Sequence, residues 1–191
     1  MGCLNEFIAR KANKEDECSG RFWEGGFKSQ ALLDEDALLT CMAYVDLNPV
    51  RAKIADSIET SEYTSAYERV HGVTQAKEKP LAYSFNKKPL FGFVGDESEQ
   101  STQGIPFSLL DYIELVDWSG RIIREDKRGA ISSQRPRLLS TLGLDDDTWL
   151  SLASSFGKDY HGAVGSLEAL AVYASNTGKC WIANKNQLRL H

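Results

Sequence analysis

Metal ligands and paired nucleophiles are sparse in this 191-residue chain, and those present stand apart. There are three histidines, His71, His161 and His191, each isolated, and no His-hydrophobic-His pair occurs. The four cysteines, Cys3, Cys18, Cys41 and Cys180, have no metal-site spacing and no histidine close in sequence. They read as reduced thiols, with Cys41 on an apolar helix face. No Ser/His/Asp or Cys/His spacing points to covalent catalysis, and no Gly-rich phosphate loop of the Walker type is present. No apolar run is long enough to cross a bilayer. The N-terminus lacks a secretory pattern, and Glu6 stands where a myristoylation motif needs Ser or Thr. The expectation is a cytoplasmic protein with no membrane association and no cofactor of its own.

Positive charge is also short. The net charge is −5, distributed as −5 over residues 1–70, −1 over 71–128 and +1 over 129–191. Phosphate binding needs local positive charge, so any nucleic-acid contact must come from a small patch and not from the overall field. Apolar content of 42% and charged content of 26% are ordinary for a globular chain with a real core.

The most informative stretch is Tyr44–Ala52, Tyr-Val-Asp-Leu-Asn-Pro-Val-Arg-Ala. Asn48 reads as a helix cap and Pro49 as a first helical residue. A preceding helix should stop near Leu47. The pattern is helix, corner, short helix, with Arg51 on the first turn of the second. Arg51 either pairs with an acid such as Asp46, or joins Lys53 and the helix N-terminus on a phosphate. Tyr44 is a packing residue or, less favoured, a nucleophile.

Around this corner the chain reads as mainly α. Residues 3–13 place Leu4, Phe7, Ile8 and Lys11 on one face. Trp23 and Phe27 are expected as buried anchors beside the flexible pair Gly25-Gly26. Asp34 caps a helix running to about Leu47, with Leu38, Leu39, Met42 and Val45 as its stripe. Thr64 or Ser65 opens another helix, with Glu68 at capping-box distance from Ser65. Tyr63 and Tyr67 share a face if that helix reaches back, where they pack or stack on bases. Residues 71–106, rich in Pro and Gly, read as a linker. Ser108 caps a helix that Gly120 can end. Arg121, Arg124 and Arg128 share one face beyond it, either on phosphates or paired with the acidic first region. Residues 136–174 form a small helical part, in which Asp145-Asp146-Asp147 marks a helix start more readily than a metal site. The divisions are 1–70, linker 71–106, helical domain 107–174 and tail 175–191.

The corner resembles the C-terminal signature of the REP-associated tyrosine transposases, a branch of the single-strand His-hydrophobic-His transposases. Gly20–Ser29, with Trp23, resembles the segment that precedes it there. The runs Leu115–Arg121 and Arg124–Ile131 resemble an extension found in a longer subgroup. The resemblance implies the helical C-terminal portion of a transposase domain, without the nuclease core that precedes it in the family. It implies DNA as partner, as a single-stranded hairpin, contacted through Asn48, Arg51, Lys53, Arg121, Arg124 and Arg128. Trp23, Phe27, Tyr44 and Pro49 would be structural. An intact family member needs a divalent metal held by the His pair and an attacking Tyr. Here Phe27 stands at a position often occupied by that Tyr, so no catalytic residue is assigned. The expected function is DNA binding in transposition or recombination without cleavage. The alternative is a protein-interaction module that pairs with itself or with an intact transposase.

Overall fold

The computed structural model describes residues 2–23, 25, 29–78, 90–95, 104–125, 135–160 and 162–179. The fold is mainly α, as the patterning implies. The chain divides into two compact units, Met1–Ala31 and Leu32–His191.

The first unit holds helix α1 (Gly2–Glu15), which buries none of its residues. The Leu4, Phe7, Ile8 face is present but exposed. Trp23 is not a buried anchor. It is 43% exposed, its Nε1 donates to Asn5 O at 3.0 Å, and it meets Phe22 edge-on. Phe27 and Gly26 lie outside the described residues.

Strand β1 (Ala31–Leu32) falls at the division, and the second unit continues from it into α2 (Glu35–Asp46). Asp34 caps α2, accepting from Ala37 N at 2.9 Å, while its second oxygen accepts from Ser166 N at 2.6 Å. The buried face of α2 is turned from the expected stripe. Leu39, Ala43 and Asp46 are buried, Leu38 and Met42 are partly buried, and Val45 is exposed. Ala43 is buried in a cluster with Trp149 and Ala153 of α7, and Ala37 in one with Leu152 and Phe156, contacts that a Leu-only pattern hides.

The corner forms as a one-residue break. Leu47 ends α2 and precedes α3 (Asn48–Arg51). Asn48 is not the cap: it is the first helical residue, and Leu47 makes no side-chain bond there. Lys53 follows in a left-handed conformation (φ 57°) and closes the turn. A 3₁₀ turn at Ile58–Thr60 leads to α4 (Ser65–Glu78), which extends into the span read as linker. Its cap is Thr64, whose Oγ1 accepts from Tyr67 N, and not a Ser65–Glu68 box. Tyr63 sits before the helix at φ 67°, so it does not share a helical face with Tyr67.

Helix α5 (Leu109–Glu125) does not stop at Gly120. That glycine is where α3 packs: a Cβ there would stand 3.4 Å from Leu47 Cδ2 and 4.0 Å from Val50 Cγ1. Residues 90–95 and 104–107 form a strap, with a parallel bridge between Phe93 and Ile105. Helices α6 (Arg137–Thr141) and α7 (Asp146–Asp159) follow. Asp145 caps α7 with both carboxylate oxygens on Thr148, so the acidic triplet is a helix start. Strand β2 (Ala163–Val164) pairs with β1, and α8 (Leu167–Thr177) ends at Gly178 in a left-handed turn. One core of Leu39, Leu47, Tyr112, Leu115, Leu139 and Trp149 draws on α2 and on α5–α7. The sequence blocks on either side of the Pro/Gly span therefore share an interior.

A buried carboxylate sits at its centre. Asp46, 1% exposed, accepts from Ser65 N (3.0 Å), Ser65 Oγ (2.9 Å), Ala66 N (3.2 Å) and Tyr112 Oη (2.6 Å). It caps α4 from another helix and ties α5 to both. Replacing it by Ala strands several buried donors, each costing about 1–3 kcal/mol. Asp46→Ala is expected to lose at least about 3 kcal/mol in urea unfolding, and Asp46→Asn clearly less, because its amide carbonyl still accepts.

Candidate nucleic-acid interface

The signature corner is held by Arg51. Its guanidinium lies 4.0 Å from the Tyr44 ring centroid. Nη1 donates to Ser154 O at 2.5 Å, and Nη2 donates to Tyr44 O at 3.0 Å and Asn48 Oδ1 at 3.1 Å. Nε is buried with no partner among the described residues. Arg51 does not pair with Asp46, whose carboxylate is already filled by Ser65, Ala66 and Tyr112. The planar fork reaches three helices at once: α2 through Tyr44, α3 through Asn48 and α7 through Ser154. Asn48 is exposed but spends its side-chain oxygen on this arginine. Pro49 occupies the start of α3 as its fixed φ requires.

Tyr44 is a packing residue. Its ring sits between Arg51 and Phe156, with Phe156 at 6.1 Å. Across it, α7 offers Gly157, where a Cβ would stand 2.6 Å from the Tyr44 hydroxyl. Any side chain at 157 would displace the tyrosine.

The remaining basic candidates stand further out. Lys53 is exposed on the loop after α3. Arg121 is exposed on α5 and pairs with Asp117 one turn back. Arg124, also exposed, donates to Asp56 O at 2.7 Å and pairs with Asp56 Oδ1 at 2.7 Å. That contact spans 68 residues and fastens the Lys53–Asp56 loop to the end of α5. The two basic blocks of the sequence therefore meet in space. Asp56 and Asp117 meet there too, so the patch is mixed in sign. Arg128 lies outside the described residues.

A second polar group was missed by sequence reasoning. Arg69 on α4 lies 4.7 Å from the Phe93 ring centroid, and its Nη2 donates to Phe91 O at 2.8 Å. Burial lowers its pKa from the usual arginine value. Phe93 in turn packs on Tyr112 at 5.2 Å between centroids. Burial, then the Asp46 charge and hydrogen bond, push the Tyr112 phenol well above its ordinary value. A cue existed in the sequence: Asp46 lies on the α2 face that turns inward, where a charge demands partners. Burial also raises the Cys41 thiol, in keeping with a packed sulfur. Among the described residues no group of three His, Cys, Asp or Glu is placed to hold a metal, and no helix is long and apolar enough to cross a membrane.

Two outcomes follow. Arg51→Ala is expected to cost about 2–3 kcal/mol in chemical unfolding, and Arg51→Lys to recover little of it, because one ammonium cannot span Ser154 O and Tyr44 O. The Tyr112 shift sets an alkaline limit. A phenol whose folded pKa is raised contributes stability that is present below the unfolded value of 10.0 and is lost as pH rises through the folded one. Stability should therefore fall above about pH 10, with the loss missing in Tyr112→Phe, as read by unfolding curves across pH.

No protein-family model, curated protein or solved structure matches this chain.

Proposed function

We propose that this chain is a DNA-binding protein derived from the REP-associated tyrosine transposases, acting in the cytoplasm on a single-stranded hairpin without cutting it. The observation that carries the reading is the Arg124–Asp56 contact. It sets the loop bearing Lys53 against the helix bearing Arg121 and Arg124, the two blocks of the chain that resemble that family. Lys53, Arg121 and Arg124 gather three cations against the two carboxylates of Asp56 and Asp117, a local positive excess in a chain of net charge −5, and phosphate contacts draw on such local charge. The Tyr–Asn-Pro-Val-Arg corner takes a scaffolding part: Arg51 and Asn48 bond each other and α7, and so hold Lys53 at the surface.

The test is titration of a fluorescent hairpin at low and moderate salt. A Lys53→Ala, Arg121→Ala, Arg124→Ala variant is expected to bind at least about tenfold more weakly. Its log–log salt slope should shrink by about 2, at roughly 0.7 per lost phosphate contact. Hairpin affinity at low salt that is absent, or that the triple variant leaves unchanged, overturns the reading.

A further inference from the structure

Helix α8 is attached to the second unit by one end. Ser166 caps it, with Ala169 N donating to Ser166 Oγ at 3.3 Å, and Ser166 N donates to Asp34. Leu170 is the residue it buries. Away from that contact, Ala169, Val172, Tyr173 and Asn176 recur at three-and-four spacing, the repeat of a helix–helix seam. With Leu33 and Glu168 they line an open groove of about 430 Å³, in which Val172 is 57% exposed. The described residues leave this face uncovered.

We propose that this face pairs with the same face of a second copy, the two α8 helices running antiparallel about a two-fold axis near Val172 and Tyr173. The charges select this partner and this direction. Glu168 in the first turn is the one ionised residue of α8. Lys179 lies just past the other end, its Nζ 5.2 Å from the Tyr173 ring centroid. Antiparallel pairing brings each Glu168 toward the second copy's Lys179, and each helix N-terminus toward the other's C-terminus. Parallel pairing would oppose Glu168 to Glu168. Asn176, at the end of the seam, offers an amide that fixes register as a single polar seam residue does. An 11-residue helix is about 16 Å long, so each copy contributes well under the roughly 800 Å² of a standard interface. The dimer is therefore weak and forms at high concentration. This inference stands apart from the DNA-binding reading.

Sedimentation equilibrium of the full chain, from about 10 μM to about 1 mM, tests it without DNA. The average mass is expected to rise from 21.3 kDa toward twice that value. Val172→Glu, at an exposed position, should abolish the rise with the circular-dichroism melt unchanged. Glu168→Lys alone should weaken association about tenfold, and Glu168→Lys with Lys179→Glu should restore it. A chain that stays monomeric overturns the proposal. So does association that Val172→Glu leaves intact, or a charge-swapped pair that fails to recover.

Discussion

The fold of the second unit depends on one carboxylate being out of water and fully occupied. An aspartate in an apolar interior is costly unless hydrogen bonds replace its hydration. Asp46 meets that demand with backbone donors from the start of α4, a serine hydroxyl and the Tyr112 phenol. The need for partners fixes where α4 begins and how α5 lies against α2. Apolar contacts alone would allow those helices to slide. Directional bonds to one buried group do not, and the strap carrying Phe93 closes over the same place.

Arg51 does for the α2–α3–α7 junction what Asp46 does for α2–α4–α5. Both are ionised residues within five positions of the same corner, and neither neutralises the other. Each satisfies its charge against dipoles: carbonyls around the arginine, N–H and O–H groups around the aspartate. A tight corner supplies many loose backbone groups, since two helices end and begin there. The conjunction of Asp46 and Arg51 around Asn48-Pro49 follows from that chemistry. Lys53 and Arg124 stay outside this network, both exposed, with Arg124 held on Asp56.

How much could be read in advance varied with the kind of interaction. Helix positions were legible, because caps and apolar spacing are local: Asp34, Ser108 and Asp145 mark starts within one residue. The mainly helical class followed from them. Helix faces were less legible. Val45 looks like a core residue and is exposed, whereas Ala43 and Asp46 are buried, because α7 and α4 choose the face. Gly120 reads as a helix end, yet it is a packing site whose meaning resides in Leu47, as that of Gly157 resides in Tyr44. At the candidate interface, the residue types could be named from the sequence. That Arg51 reaches Ser154, and that Arg124 reaches Asp56, depends on contacts far apart in the chain and was invisible to any local pattern.

Asp34 carries a consequence for synthesis. One of its oxygens caps α2 and the other receives the N–H of Ser166, 132 residues later. Arg51 likewise waits for Ser154, 103 residues on. On a ribosome, α2 and α3 emerge long before either partner exists. Their inward faces, Leu39, Leu47 and the polar groups of the corner, must pass that interval with water or a chaperone in place of α5 and α7. Closing such long loops has an entropic cost that the contacts repay only once both ends are present. The second unit thus completes its fold only after Ser154 and Ser166 have been made and can reach back to Arg51 and Asp34.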